Sequence, residues 1–187
     1  MAPFRRWRFQ RLVRPHWTAF ERFARRLAGS PQDGDDLLQE AVVAAMQRIG
    51  GLKDDRAFRT WMFKTLRTVH LDRCDREARH RRRVDAFGTF GEAVVLPFPK
   101  SPADTLEARE IGHAVAQAME ALPEDQRLAV WLVDVQGLSF TEAAEVLDLR
   151  RGTVCSRVIR GRLALRGDLG EVAAEQGFGQ DASAEEP

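Results

Sequence analysis

The chain has 187 residues, 30 % charged and 44 % apolar, enough for one medium or two small cores, which excludes collagen-like and mostly disordered proteins. No run approaches ~18 uninterrupted apolar residues, so no membrane insertion is expected. The net charge is only +1, and the two cysteines, Cys74 and Cys155, form no CxxC pair, so there is no disulfide framework and a reducing cytoplasm fits best.

The first 26 positions carry eight arginines against one acid, Glu21. No apolar run of ~7–15 residues follows, so no signal peptide is expected, and the organised pattern begins too early for an organelle transit peptide. Helical periodicity then starts. Phe20, Phe23, Ala24 and Leu27 make one stripe, and after the break at Gly29-Ser30-Pro31, Leu38, Val42, Ala45 and Ile49 make a second. Gly50-Gly51 ends that helix, and residues 53–56 read as an exposed loop. A longer helix runs from Phe58 to Arg83 with Phe58, Met62, Leu66 and Val69 on one face and the i,i+4 pairs Asp72/Arg76, Asp75/Arg79 and Glu77/Arg81 downstream.

Glycines and prolines between 84 and 104 mark a linker, with an odd apolar patch, Val94-Val95-Leu96-Pro97-Phe98. Helices resume near Thr105. Ile111, Val115, Ala118 and Leu122 form one stripe, and Leu128, Trp131, Leu132 and Val135 another, in a helix opened by Pro123 and stopped by Gly137. Ser139-Phe140-Thr141-Glu142 reads as a capping box for a short helix. A last helix is expected from Arg151 to Arg166. The acidic tail behind it, which holds six acids and no basic residue, reads as loose. The expectation is an all-α protein of two small helical domains on a flexible linker: 1–83, 84–104, 105–168, and a tail at 169–187.

Three surfaces carry candidate chemistry. The short helix, the turn Asp148-Leu149-Arg150 and the last helix make a helix-turn-helix. Val154, Val158, Gly161 and Leu165 are expected inward, and Ile159 and Leu163 on an adjacent strip. The opposite face holds Arg150, Arg151, Thr153, Ser156, Arg157 and Arg160, hydroxyls and guanidiniums suited to phosphates and base edges. A solvated basic face gives the same pattern. The second surface, Asp36, Leu37, Gln39 and Glu40, reads as a polar patch around an exposed leucine, fit for a protein partner or simply an acidic helix start. The third couples Phe58, Trp61 and Phe63 with Lys64, Arg67, Arg73 and Arg76. Aromatics among cations can stack unpaired bases, although Trp61 could equally be core. Arginine outnumbers lysine 26 to 3, which suits a polyanion partner, with genomic base composition as the other source.

Taken together, Gly34-Asp35-Asp36-Leu37-Leu38-Gln39-Glu40, Trp61-Met62-Phe63-Lys64-Thr65-Leu66-Arg67-Thr68 and Asp72, then Leu122-Pro123, residues 137–144, Gly152-Thr153-Val154-Cys155-Ser156-Arg157 and Arg160-Gly161-Arg162 resemble a bacterial RNA polymerase sigma factor of the extracytoplasmic-function (ECF) group. The likeness covers residues 16–83 and 105–166. It implies that Asp36, Leu37, Gln39 and Glu40 dock on the clamp coiled coil of core RNA polymerase. The loop from Gly50 to Arg56 and the helix after it are similar to the element that opens the minus-ten box and captures flipped bases, with Lys53, Arg56, Arg59, Trp61, Lys64, Arg67, Thr68, Arg73 and Arg76 as contacts. The last helix resembles the reader of duplex minus-thirty-five DNA, and the linker would thread toward the RNA exit channel. The likeness also implies an anti-sigma factor as partner and no cofactor. Thr65, Thr68, Cys155 and Arg150 depart from the pattern, where an aliphatic residue, asparagine, lysine and a small capping residue are usual; they bear on the promoter sequence read.

Two other classes compete. A decoy that titrates an anti-sigma factor would not need the basic face at Arg151, Arg157 and Arg160. A plain helix-turn-helix regulator would not need Asp36–Glu40. An enzyme fits least, because the four histidines are scattered and no metal-ligand spacing or phosphate-binding glycine loop occurs.

Overall fold

The computed structural model describes the backbone of residues 3–84 and 106–175 and the side chains of residues 5–79 and 112–170. The linker from residue 85, with its apolar patch, and the chain beyond 175 lie outside the described residues. In order, the helices are α1 (Pro3–Val13), α2 (Trp17–Ala28), α3 (Pro31–Arg48), α4 (Phe58–Val84), α5 (Leu106–Ala121), α6 (Glu124–Val130), α7 (Phe140–Leu147) and α8 (Arg151–Glu175). Among the described residues there is no strand, as the periodicity implies. Two compact units form: α1–α4 with residues 141–149, and α5, α6 and α8 with the chain up to residue 140.

In the first unit α2 buries Phe20, Phe23 and Ala24, the expected i, i+3, i+4 face. Gly29, at φ +77, sends its N–H to Arg25 O at 3.1 Å and ends the helix. Ser30 restarts the chain as N-cap, its Oγ accepting from Asp33 N–H at 2.9 Å, with Pro31 at the first helical position. Phe20 and Phe23 both meet the Phe63 ring edge-on at 5.1 Å, and Phe58 meets Phe9 edge-on at 5.7 Å. Such pairs add about 0.5–1.5 kcal/mol each beyond area burial. Two of the three α4 aromatics are therefore core, and only Trp61, half-buried and 5.9 Å from the Phe58 ring, keeps an accessible face.

The arginine-rich start, read in the sequence as charge alone, forms α1 and buries Phe9 and Val13. Val42 is half-buried and its neighbour Ala41 fully buried, because α3 lies against both α2 and α4 and so needs a wider apolar arc than one stripe.

In the second unit α5 buries Ala118 and Met119, and Leu122 just past its end is buried too, while Val115 is exposed rather than inward. After α6 the chain makes one π turn, Trp131–Val135, with Gln136 N–H donating to Trp131 O at 2.9 Å and Leu138 N–H to Leu132 O at 3.0 Å, before Gly137 at φ +64. The extra residue rotates the face, so Val135, expected inward, is exposed and Gln136 is buried. Gly161 of α8 is buried against α6: a Cβ there would lie 2.6 Å from Val130 Cγ2. Helix α8 runs past Arg166 to Glu175, correcting the expected loose tail from residue 167. Its added stretch carries good helix formers, Leu169, Glu171, Ala173 and Ala174, which override Gly167 and Gly170.

Candidate polymerase and nucleic-acid interfaces

The sequence order helix, short turn, helix is present at the C-terminal end. Leu149 N–H returns to Ala144 O at 3.0 Å, Asp148 turns the chain at φ +51, and Arg150 O accepts from Thr153 N–H at 2.9 Å to open α8. Arg150, Arg151, Ser156 and Arg160 are exposed on α8 and its lead-in, and Thr153 is half-buried. Ser156 Oγ donates to Thr153 O at 2.9 Å, and Arg160 Nε to Ser156 O at 3.3 Å. Arg157 differs: its Nε lies 3.1 Å from Asp125 Oδ2 of α6, and its side chain is only 25 % exposed. Part of its charge is thus spent inside the unit. Arg162, off this face, pairs with Asp134 through Nε at 3.0 Å, and this hydrogen bond, against a desolvation cost, raises its pKa. Ile159 and Leu163 are exposed.

On α3, Asp36, Gln39 and Glu40 are exposed, and Leu37 is completely buried. The expected exposed leucine is therefore a core residue, held between α2 and α4 together with Leu38. Val43, one turn after Glu40 and 56 % exposed, is the apolar member of this face. It lies in a groove shared by Gln39, Glu40, Thr68, Asp72 and Arg76. Thr68 and Arg76, expected on the minus-ten surface, share this groove with Gln39 and Glu40. Arg76 Nη2 is 3.5 Å from Glu40 Oε2, and Thr68 Oγ1 donates to Lys64 O at 2.9 Å.

The downstream i,i+4 pairs of α4 form differently from expectation. Arg76 and Arg79 send Nε to the backbone carbonyls of Asp72 and Asp75, at 3.2 and 3.1 Å, while Arg73 pairs with Glu77 at 3.1 Å and with Asp33 of α3 at 3.2 Å. A helical guanidinium reaches the carbonyl one turn back as readily as a carboxylate. The Glu77 hydrogen bond raises the pKa of Arg73. The expected partner of Glu77, Arg81, lies outside the described side chains.

Lys53 and Arg56 are exposed on the loop before α4; Arg59, Lys64 and Arg67 are half-buried. Asp54 caps the short turn at Asp55–Ala57 by accepting from Arg56 N–H at 2.9 Å. Arg59 lies over the Phe63 ring, 5.7 Å from its centre. Burial, and next the charge of Arg59, hold the His16 imidazole below its usual pKa.

What sequence reasoning missed is the support of this loop. Arg8 of α1 donates to Asp55 Oδ1 and to Leu52 O, both at 2.8 Å, and to Ile49 O at 3.4 Å; Arg11 adds a second bond to Asp55. One half-buried guanidinium thus satisfies two carbonyls of a segment that lacks a ladder of its own. Replacing Arg8 with methionine keeps the stem and strands Leu52 O, whereas Ile49 O still accepts from Leu52 N–H and Asp55 still pairs with Arg11. The expected loss is about 1–3 kcal/mol of unfolding free energy, read by urea titration. An unchanged midpoint would remove Arg8 from this role.

Residues 12–80 match the family model of sigma-70 region 2, and residues 112–165 that of sigma-70 region 4. A chain carrying both in this order, on helices with the faces described, is a sigma factor. It is 34 % identical over 165 residues to the ECF RNA polymerase sigma factor SigM of Mycobacterium tuberculosis, spanning 88 % of this chain and 79 % of that one. To the ECF RNA polymerase sigma-E factor of Escherichia coli it is 32 % identical over 139 residues, 71 % and 72 % of the two chains. The fold is shared with RpoE of Bartonella quintana, solved with the anti-sigma factor NepR (TM-score 0.65, 23 % identity, 87 % of this chain and 96 % of that one). It is also similar to CnrH, solved with the cytosolic domain of CnrY (TM-score 0.57, 26 % identity, 87 % and 88 %). The chain belongs to the ECF RNA polymerase sigma factors, and its function is that of an alternative sigma factor directing promoter-specific transcription.

Proposed function

We propose a division of this work among the surfaces above. Residues 1–83 bind core polymerase and open the minus-ten box, 84–104 tether, and 105–168 read minus-thirty-five DNA as a duplex. The observation that carries it is the face of α8, where Arg151, Ser156 and Arg160 are exposed and neither arginine has a carboxylate partner among the described residues. Duplex binding fixes register. Melting then costs about a few kcal/mol per unstacked base, which stacking on Trp61 and cationic contacts from Lys53, Arg56, Lys64 and Arg67 must offset. Bond-making lies with the polymerase, and the protein works where the polymerase does, in the cytoplasm. No described helix is long and apolar enough to cross a membrane. RpoE of Bartonella quintana, which shares this fold, is solved with the anti-sigma factor NepR, and a regulator of that class fits this chain as well.

The docking surface on core polymerase is Asp36, Gln39 and Glu40, completed by Val43. Asp36→Ala with Gln39→Ala is expected to weaken co-purification with core polymerase about tenfold or more while melting like the parent, because both side chains are exposed. Undiminished co-purification would refute that surface. The reading as a whole is tested by in vitro transcription: adding the chain to core polymerase should create defined start sites on genomic templates, and their absence would overturn it.

A further inference from the structure

Helix α1 carries a face that none of the surfaces above uses. Trp7 and Arg11 of α1 and Arg14 of the 3-10 turn that follows it stand at i, i+4, i+7, and with Gln10 and Pro15 they line a groove. Trp7 is 55 % exposed, unusual for so large an apolar side chain, and the Arg11 guanidinium lies over its ring at 5.1 Å. Arg6 and Arg14 are exposed and have no carboxylate partner among the described residues. The same helix grips the loop before α4 through Arg8 and Arg11, while Arg5 approaches Gly50, its Cζ 3.1 Å from where a Cβ would lie. Arg11 alone joins the two, lining the groove while it bonds Asp55 of the Gly50–Arg56 loop.

We infer that this α1 face is a binding site for single-stranded DNA, taking the strand as it leaves the loop, with one base stacked on Trp7 and the flanking phosphates on Arg6 and Arg14. An exposed indole beside a guanidinium offers a flat π-face and cations together, the sequence-tolerant chemistry of single-strand binding. An acidic protein partner would use the arginines but would leave the indole without a stacking role. The inference rests on the reading of the loop as the minus-ten element, and the variants below separate the two.

The full chain is titrated with a labelled single-stranded oligodeoxynucleotide carrying a minus-ten sequence and downstream bases, read by fluorescence anisotropy over a range of salt. Arg6→Gln with Arg14→Gln should weaken binding and lower the slope of log K against log salt by about 1.4, two phosphate contacts at ~0.7 each. Trp7→Ala should weaken binding about tenfold, and Trp7→Phe should restore most of it. Both changes are on exposed side chains, and thermal melts check that the fold is kept. Lys53→Gln with Arg56→Gln tests the loop separately. If the loop pair loses affinity and the α1 variants do not, the α1 site is overturned and the loop reading stands. If only the α1 variants lose affinity, the α1 site stands and the loop reading falls. Loss of core-polymerase binding with unchanged oligonucleotide binding would assign the face to a protein and overturn the inference.

Discussion

Replacing Gly34 with alanine is expected to destabilise the first unit by about 2 kcal/mol, although it puts a better helix former inside α3. The added methyl would lie 2.4 Å from Arg25 Cα and 2.7 Å from Arg25 N. These are backbone atoms, so no rotamer change relieves the clash and α2 and α3 must separate. Overpacking costs about 1–3 kcal/mol, and a rigid obstacle places this site at the upper end; the gain in helix propensity returns about 1 kcal/mol. Gly34 opens the Asp35–Asp36 stretch, and the separation would also strain the pairing of Arg25 Nε with Asp35 Oδ1 at 3.0 Å. Core-polymerase binding should therefore weaken along with the urea midpoint. Gly167→Ala is the control. It lies within α8 with no atom near its Cβ position, and it should be neutral or stabilise by up to about 1 kcal/mol. A Gly34→Ala protein that unfolds at or above the parent midpoint would show that the two helices do not need that contact.

Legibility in the sequence follows how local each determinant is. Caps and breaks were readable because their chemistry lies within a few residues: Ser30 with Asp33 N–H, Gly29 in the left-handed region, Gly137 after α6. Stripes were readable where a helix meets one neighbour, as in α2. They failed where it meets two. Leu37 looked exposed because a single stripe was assumed for α3, yet α2 and α4 flank that helix and both leucines are buried. Helix α1 was hidden because its two core residues, Phe9 and Val13, stand among arginines whose charge dominates any average. The π turn at Trp131–Val135 leaves no periodic signature, since it is set by packing, and it misplaced Val135. For the sites, exposure of Asp36, Gln39, Glu40, Arg151 and Arg160 followed from helical spacing. Which arginines are already neutralised did not. Arg73, Arg76 and Arg157 find acids on other helices, which sequence order cannot show.

That last distinction sets an expected order among variants of α8. Arg151→Gln with Arg160→Gln removes two exposed cations whose only described competition is one backbone carbonyl, the one Arg160 reaches on Ser156. If both meet phosphates, the salt slope for duplex promoter binding should fall by about 1.8, two contacts at ~0.9 each. Each charge-assisted bond contributes about 1.5–3 kcal/mol, so affinity should drop a hundredfold or more at moderate salt, with the melting temperature unchanged. Arg157→Gln should behave differently, because its guanidinium is largely covered and bridges to Asp125 at 3.1 Å. Its loss should change the slope by less than half that of the pair and lower the stability of the second unit by at most about 1 kcal/mol, since the Asp125 carboxylate it bridges is itself exposed. The three proteins are compared by anisotropy on a duplex promoter fragment across a salt series, with thermal melts alongside. A slope drop of about 0.9 for Arg157→Gln, the same per charge as in the pair, would mean that Arg157 swings out to DNA on binding and that the Asp125 bridge does not set its role. An unchanged slope for the Arg151/Arg160 pair would remove the duplex from this face altogether, leaving α8 without a DNA-reading surface.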